Sequence, residues 1–286
     1  MMKLPYQVEP LALTTTEPTL ENSVRAYLLT AGDKALLIDS GFPENALEIN
    51  RRLLAARLNL QGIWLTHFHP DHSLGALKVA ETFRVDIHCH PLEYTPLVNL
   101  YRQYFPEADL RRVVPDLYDG LELPFAGDRL TVLHTPGHTH GHIAIFDQTT
   151  GCLFAGDHVI PEGTVWIGPP DCHLQDYLDS LDRLLALPAS TLYPGHGEPL
   201  LSPHALMAAM KRRRVEREDE IRQIIDAGEW TVEMLFTRVY GDKVPDGAAW
   251  AAKKMVVAHL QKLIFENKAR MRYQPQERRF YYRAIP

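Results

Sequence analysis

The sequence predicts an α+β fold in which sheets and helices form layers. Two observations carry this prediction: β-rich apolar runs recur along the first 200 residues, and amphipathic helical patterns over 44–57 and 73–83 lie between some of them. Strands mixed with helices in this way bury one face of each sheet under helices. The predicted strands are 24–32, 34–41, 62–67, 85–90, 130–137, 142–148, 151–157 and 190–197.

Composition excludes several classes of protein. No stretch approaches the ~20 continuous apolar residues of a membrane span, and the N-terminus lacks the apolar segment of a secretory signal. We therefore expect a cytoplasmic protein that does not enter a membrane. Cys89, Cys152 and Cys172 are odd in number and far apart, which argues against a disulfide framework or a thiolate zinc site. Any metal ion would be held by nitrogen and oxygen.

Charge divides the chain into two modules. Residues 1–200 carry 13 Lys and Arg against 25 Asp and Glu, whereas residues 201–286 carry 17 against 11. We predict a catalytic domain over 1–200 and a smaller C-terminal domain over 201–286. Residues 92–120 interrupt the strand rhythm with a tyrosine-rich helical insert, which is either a lid or a packing excursion.

The C-terminal module has the element order of a winged helix. Helical patterns over 203–228, 231–240 and 246–266 precede two strands joined by a polar turn over 268–283. The charged run KRRRVEREDE at 211–220 is interpreted as a solvated helix face. The hairpin holds six basic residues against one acidic residue, Glu277. It either binds nucleic acid or packs on the acidic module as a structural or homodimer element, and we favour the structural role.

The segment LTHFHPDH at 65–72 concentrates metal-ligating side chains. His67 and His69 follow an apolar run, where an extended strand end would place both rings on one face. Pro70 breaks the strand, so Asp71 and His72 can turn toward a second point nearby. One segment could therefore serve two ions.

Three later segments carry the same kind of residue at predicted strand ends. They are HTPGHTHGH at 134–142, FAGDHV at 154–159 and YPGHGE at 193–198. A glycine directly before a histidine or aspartate permits the tight turn that aims the side chain into a shared cleft.

These four segments together resemble the metallo-β-lactamase superfamily, whose H-x-H-x-D-H segment is followed by Gly-His, Gly-Asp and Gly-His in the same order. The resemblance covers about residues 20–200 and implies an αββα sandwich, in which two facing sheets are covered by helices. The C-terminal module makes the chain similar to the lactamase-beta-like and glyoxalase II-like branch with a C-terminal winged helix.

The resemblance also implies the ligands of two divalent ions. Nitrogen and oxygen ligands suit Zn²⁺, iron and manganese alike, and ligand type does not choose among them; we expect Zn²⁺, with iron or manganese as alternatives. By this resemblance His67, His69 and His138 hold the first ion, Asp71, His72 and His196 hold the second, and Asp157 bridges the two. Asp71 and Asp157 are also candidate catalytic residues.

Four further histidines have open roles. His158 follows the bridging aspartate and either contacts substrate, as a hydrogen-bond donor or leaving-group acid, or supports the neighbouring strand. His134, His140 and His142 are not primary ligands by the resemblance, and we favour structural roles for them.

We hypothesise that the protein is an enzyme: a dinuclear metal-dependent hydrolase of a small carbonyl substrate, an ester, thioester or lactone, attacked by a metal-bridging hydroxide. The alternative is a metal-dependent endoribonuclease or phosphodiesterase whose basic C-terminal domain guides RNA. Asp157 disfavours antibiotic hydrolysis, because zinc β-lactamases generally lack an aspartate at that position. A di-iron redox protein is disfavoured because no flavodoxin-like segment fits in this length.

Overall fold

The computed structural model describes residues 5–14 and 24–285, which form two six-stranded sheets and a separate hairpin. In both large sheets the strands lie side by side in chain order. The first sheet contains β1 (Gln7–Ala12), β2 (Arg25–Ala31), β3 (Lys34–Ile38), β4 (Asn59–Trp64), β5 (Ile87–His88) and β6 (Val113–Val114). The second contains β7 (Glu122–Phe125), β8 (Asp128–His134), β9 (Ile143–Asp147), β10 (Cys152–Gly156), β11 (Thr191–Pro194) and β12 (Leu200–Leu201).

The helices separate into those of the sheet module and those that follow it. The first group is α1 (Asn45–Ala55), α2 (Pro70–Ser73), α3 (Ala76–Phe83), α4 (Pro91–Tyr104) and α5 (Leu174–Leu185). The second group is α6 (His204–Asp226), α7 (Val232–Tyr240) and α8 (Ala249–Phe265), followed by the hairpin strands β13 (Ala269–Gln274) and β14 (Arg279–Ala284). Single 3₁₀ turns cover 110–112, 241–243 and 246–248.

The two sheets face each other across an apolar core. Tyr27 and Leu29 of the first sheet lie in the same buried cluster as Ile145 and Phe154 of the second. The outer face of the first sheet packs under α1, α3 and α4, and the outer face of the second packs under α5 and the start of α6. This layering confirms the predicted α+β class and the αββα sandwich, because each sheet buries one face on the other sheet and one on helices.

Four short strands have no counterpart in the sequence prediction. Strands β1 and β7 contain Pro10 and Pro124, which cannot donate to a sheet ladder. Both are edge strands, each paired with a single neighbour, and an edge is where a strand tolerates proline. Strands β6 and β12 are two residues long, too short to produce a hydropathy pattern.

The predicted insert at 92–120 begins as α4, which is a core helix. Its Leu97 and Tyr101 are fully buried under the first sheet. The Tyr101 hydroxyl donates a 2.9 Å hydrogen bond to the carbonyl oxygen of Ser73, at the end of α2. These contacts favour the packing interpretation of the insert.

The segment after residue 203 has an apolar cluster of its own and also packs on the sandwich. Residues of α6, α7, α8 and the hairpin, among them Ile225, Leu260 and Tyr282, form the separate cluster. Met207 of α6 and Ala258 of α8 join the core over the second sheet instead. Helices α6 and α8 thus connect the C-terminal segment to the sandwich.

Within the described residues, none of the helices combines the length and apolar character that a bilayer crossing needs.

The intersheet core predicts one stability result. Phe154 is fully buried, and its ring lies 5.5 Å from that of Tyr27 and 4.8 Å from that of Tyr193, centroid to centroid. We expect Phe154→Ala to lower the free energy of unfolding by about 3–5 kcal/mol, measured by urea denaturation. The matched control, Phe265→Ala, removes a ring that is 78% exposed and should change the free energy by less than about 0.5 kcal/mol. Equal losses in the two variants would contradict this account of the core.

Candidate metal centre

The loop after β4 carries four of the predicted ligands. Strand β4 ends at Trp64, so the prediction that His67 and His69 lie on an extended strand end is wrong. Side chains and backbone together hold this loop: Asp39 accepts a hydrogen bond from the Thr66 backbone N–H at 2.8 Å, and Glu93 accepts one from the Phe68 N–H at 2.7 Å. The Thr66 carbonyl oxygen accepts the Ile143 N–H of β9 at 2.9 Å. Buried carboxylates therefore add to the backbone contacts that shape the loop.

Pro70 opens a short helix instead of simply ending a strand. It occupies the first turn of α2, a position that proline favours. The helix presents Asp71 and His72 from its first turn, and both are buried. His67 and His69 lie in the loop before this helix. The segment therefore supplies two ligands from a loop and two from a helix.

The other three predicted ligands follow strands of the second sheet. His138 lies in the turn after β8, Asp157 directly follows β10, and His196 lies two residues after β11. The glycine before His196 is required by close approach, because a Cβ on Gly195 would lie 2.2 Å from Asp157 Oδ1. The strand ends thus bring the ligands to one edge of the sandwich, as the sequence predicts.

The seven side chains form overlapping groups. His67, His69 and His138 make one group whose ligand atoms lie within 4.8 Å of one another. The shortest contact within this group is 3.0 Å, between His138 Nε2 and His69 Nδ1. Their rings meet edge to face, with centroids 4.7 to 4.8 Å apart.

Asp71, His72 and His196 make the second group. His196 Nε2 lies 3.2 Å from Asp71 Oδ2 and 3.4 Å from His72 Nε2. Asp157 lies between the groups: its Oδ1 is 3.3 Å from His72 Nε2, and its Oδ2 is 3.3 Å from His196 Nε2 and 3.6 Å from His138 Nε2. A carboxylate in this place contacts both groups at once.

Burial and mutual contact set the protonation of the site. Burial and the neighbouring imidazoles hold the pKa of His67 well below its ordinary value, and burial lowers the pKa of His69 to about 3. Burial opposes ionisation of Asp157, but the adjacent imidazoles outweigh it and hold its pKa well below the usual range. Burial likewise opposes protonation of His196, yet Asp157 raises its pKa to about 9. Metal ions bind neutral imidazole and ionised carboxylate, so His69 and Asp157 already have the binding form, whereas an ion bound at His196 would displace a proton.

Neighbouring groups orient the ligand rings. The His72 Nδ1–H donates to Asp39 Oδ2 at 3.0 Å, and the His138 Nδ1–H donates to the Trp166 carbonyl oxygen at 2.9 Å. These acceptors occupy Nδ1 of each ring, so Nε2 is the atom left for a metal ion. On His72, whose pKa Asp157 and Asp71 raise despite burial, metal binding would displace a proton. Asp39 itself has a φ of 58°, a left-handed conformation uncommon outside glycine.

Glu93 is a second buried carboxylate behind the ligands. Its Oε1 accepts hydrogen bonds from the Thr139 hydroxyl at 2.9 Å and the Gly141 N–H at 2.8 Å, while Oε2 holds the Phe68 N–H. Burial raises its pKa to about 7. It joins α4 to the loops that carry His69 and His138. Neither Glu93 nor Asp39 is among the predicted site residues: Glu93 has no motif around it, whereas Asp39 shares the strand-end position of the predicted ligands.

The remaining histidines take structural positions. His142 is buried behind the cluster, where its Nδ1 contacts the Thr135 hydroxyl at 2.9 Å and its Nε2 accepts the Asp157 N–H at 3.2 Å. The ring of His134 stacks on that of His90 at 4.3 Å, and His140 is exposed.

His158 does not reach the cleft. It is fully buried, its ring lies 4.6 Å from that of Tyr177, and its Nε2 contacts the Tyr177 carbonyl oxygen at 3.2 Å. Burial lowers its pKa to about 3, so the ring is neutral at neutral pH and is not the imidazolium that could protonate a leaving group. The predicted catalytic role is therefore not supported, and its alternative, support of the local structure, fits these contacts.

The ligands open onto a cleft of about 410 Å³. Ile160, Val165 and Trp166 give the cleft apolar lining beside the polar ligands, Glu162 and Thr164 add polar groups, and none of the described lining residues belongs to the 92–120 insert. The lining residues are His69, Asp71, His138, Asp157, Ile160, Glu162, Thr164, Val165, Trp166, His196 and Gly197.

The donor set fits metal ions. The buried Nε2 of His67 has no hydrogen-bond partner among the described residues, a costly state for a polar atom unless a ligand takes its lone pair. Two nitrogens bound to one tetrahedral zinc lie about 3.3 Å apart, close to the 3.0 and 3.4 Å contacts between imidazole nitrogens here.

Comparison with known proteins agrees with this geometry. The family model for the metallo-beta-lactamase superfamily matches residues 20–196. Among curated proteins, the chain is 28% identical to a beta-lactamase-like protein 2 homolog of Drosophila melanogaster, over 86% of this chain and 83% of that one. It is 26% identical to an atrochrysone carboxyl ACP thioesterase of Aspergillus novofumigatus, over 77% of this chain and 67% of that one.

A solved structure extends the likeness over almost the whole chain. A metallo-beta-lactamase family protein from Thermus thermophilus has a TM-score of 0.75 and 25% identity, over 97% of this chain and 98% of that one. That coverage includes α6, α7, α8 and the hairpin, so the C-terminal segment is part of the shared architecture. The chain belongs to the metallo-beta-lactamase superfamily and is a metal-dependent hydrolase.

Proposed function

We propose that the protein hydrolyses a small acyl thioester with two divalent metal ions. His67, His69 and His138 would hold one ion, Asp71, His72 and His196 the other, and Asp157 would contact both. The observation that carries the proposal is the position of Asp157, whose carboxylate lies within 3.6 Å of histidines from both groups. Nitrogen and oxygen ligands without sulfur suit zinc, iron or manganese, and we favour zinc.

When bound, the two metal ions would polarise the substrate carbonyl and lower the pKa of a water molecule. The chain's own contribution is orientation. Asp39 fixes the ring of His72, and the Trp166 carbonyl fixes the ring of His138. Glu93 fixes the loop at Phe68, next to His67 and His69. Asp71 lines the cleft with its carboxylate, which can accept a proton released during attack on the carbonyl carbon.

A thioester is the carbonyl substrate that we favour. Several curated relatives are named thioesterases, including those of Aspergillus novofumigatus and Emericella nidulans. The apolar wall of Ile160, Val165 and Trp166 suits an acyl chain beside the polar ligand side. Esters and lactones contain the same electrophilic carbon and remain the nearest alternatives.

We further propose that residues 201–286 form a C-terminal, winged-helix-like domain. Three helices followed by a two-stranded hairpin support this domain, as does their separate apolar cluster. Its role would be structural, since α6 and α8 pack over the second sheet. Guidance of RNA by the basic hairpin is the rival role. Homodimer formation and a cytoplasmic location stay predictions.

The proposal predicts the outcome of a paired assay. Metal-loaded protein should hydrolyse short acyl thioesters and leave single-stranded RNA intact, measured on one preparation with known metal content. In Asp157→Ala, loss of the shared carboxylate should lower metal content below two ions per chain and thioester turnover by at least about 100-fold.

His140→Ala is the matched control, because this nearby histidine is exposed and lies outside the ligand groups. It should keep both metal content and turnover. Full metal content and activity in Asp157→Ala would overturn the ligand assignment. RNA cleavage that disappears in Asp157→Ala, without thioester turnover, would establish the nuclease alternative.

The support from Glu93 predicts a second result. Glu93→Gln keeps one acceptor oxygen but turns an amide NH₂ group toward a backbone N–H or the Thr139 hydroxyl, so the loops around His69 and His138 lose a hydrogen bond. Metal affinity, measured by competition with a chelator, should fall about 10–100-fold. Glu81→Gln, on the exposed side of α3, should leave metal affinity unchanged. Equal affinity in the two variants would show that Glu93 does not position the ligands.

A further inference from the structure

A second cavity of about 570 Å³ lies beside the cleft that the candidate metal ligands line. Thr164, Val165 and Trp166 line both cavities. We call the second cavity the arginine pocket, because three arginines line it and none of its described lining side chains is acidic. Its lining is Gly163, Thr164, Val165, Trp166, Tyr177, Met210, Arg213, Arg214, Arg217, Tyr240, Val244, Pro245, Ala248, Ala251, Ala252 and Met255.

Arg214 is the unusual member of this set. Its neighbours Arg212 and Arg213 on α6 are exposed, as the solvated-face interpretation predicts, whereas Arg214 is only 8% exposed. The interpretation is therefore wrong for Arg214. A buried guanidinium is costly unless an anion or several acceptors accompany it.

The described contacts leave the Arg214 charge uncompensated. One Nη2 hydrogen bond goes to the Val165 carbonyl oxygen, and Nη1 lies 4.0 Å from the thioether sulfur of Met255. The guanidinium also lies over the Tyr177 ring, 5.7 Å from its centroid. Among the described residues Arg214 has no ion pair, whereas Arg217 pairs with Glu220 at 3.1 Å.

A second polar atom of the pocket is unsatisfied. The hydroxyl of the fully buried Tyr177 lies near the Arg214 guanidinium, which opposes the rise in its pKa caused by burial, and it has no acceptor for its own proton among the described residues. A guanidinium and a hydroxyl in a cavity lined otherwise by Arg213, Arg217 and mainly apolar side chains match an anionic group on an apolar chain. Arginine binds a carboxylate or phosphate through paired N–H donors, and the aliphatic and aromatic lining suits hydrocarbon rather than amide or sugar.

We propose that the arginine pocket binds the substrate's acyl chain, with an anionic group of that chain paired to Arg214. This inference rests on the proposed function, because it takes the scissile carbonyl to lie in the neighbouring cleft that the candidate metal ligands line. The substrate class would then be thioesters of acids that carry a second acidic group. The apolar lining favours the acyl side over the thiol side of the substrate, whose pantetheine-type arm is rich in amides.

The test compares N-acetylcysteamine monothioesters of glutarate, suberate and sebacate with uncharged acyl thioesters of the same lengths, on the metal-loaded full chain. We expect about ten-fold higher kcat/KM for the carboxylated acyl group at one or more lengths. Arg214→Met should remove this preference, so that kcat/KM for the carboxylated thioester falls to that of the uncharged thioester of the same length. Arg212→Gln, an exposed neighbour outside the pocket, should keep the preference.

Two further variants keep the test decisive. Ala251→Trp fills the pocket without changing its charge and should lower kcat/KM for long acyl chains about ten-fold while sparing acetyl thioesters. It remains informative if Arg214→Met fails to fold. Arg214→Met that lowers turnover of every thioester equally would show that Arg214 acts only by fixing the 163–166 segment, which overturns the proposal.

The source of the anion is tested separately. If octanoyl-CoA shows the Arg214-dependent gain over octanoyl-N-acetylcysteamine while the dicarboxylic series does not, the pocket binds the thiol side and the acyl assignment is wrong. Binding is also measured without turnover, by calorimetry with octanoate and 1-octanol. Octanoate should bind about ten-fold more tightly, and Arg214→Met should abolish that difference. If no thioester is hydrolysed, the proposed function fails, and the calorimetry alone decides the pocket.

Discussion

The carboxylate of Asp157 lies within 3.6 Å of imidazole nitrogens from three separate chain segments, at His72, His138 and His196. These contacts occur in a buried site, where an unpaired charge would be strongly destabilising. The three segments can meet only if the ends of both sheets lie at one edge of the sandwich. The site therefore requires the same arrangement of strands that the fold provides. The buried carboxylates Asp39 and Glu93 also anchor the loop between β4 and α2, in addition to its backbone hydrogen bonds to neighbouring strands. Much of the local backbone around the cleft therefore serves to hold one small group of polar atoms in place.

The seven predicted ligands could be chosen from sequence because their types, their order and the glycines beside them are local signals. The structure brings all seven together. Asp39 carries the same strand-end signal and was overlooked for lack of a neighbouring histidine. Glu93 could not be found in this way, since a single glutamate on a helix resembles a surface residue until the loops at 68 and 139–141 fold around it. Burial created by contact between distant segments has no trace in local sequence.

Arg214 is another residue whose burial the local sequence does not predict. The run at 211–220 has the alternating charges of a solvated helix face, and Arg212 and Arg213 behave accordingly. Helix α6, however, is bounded by the second sheet on one side and by α8 on another, so one residue in each turn or two must point inward. Which charged residue takes that position depends on how α6 docks, a tertiary property. The fold class and the helix order were accessible from periodicity, whereas edge strands that contain proline were not, because proline removes the strongest strand signal.

Segment 163–166 connects the C-terminal helices to the cleft that the candidate metal ligands line, although these helices supply no ligand themselves. Successive carbonyls of an extended chain point to opposite sides. The Val165 carbonyl accepts a hydrogen bond from Arg214 on one side, and the Trp166 carbonyl accepts the His138 Nδ1–H on the other. The position of α6 is thereby linked through two adjacent peptide groups to the orientation of a ligand ring. A charge-changing substitution in the arginine pocket can then act in two separable ways, through direct contact with substrate or through the angle of His138. Only the first depends on the charge at the end of the acyl chain, which is why substrates that differ in that charge alone can distinguish a binding role from a purely architectural one.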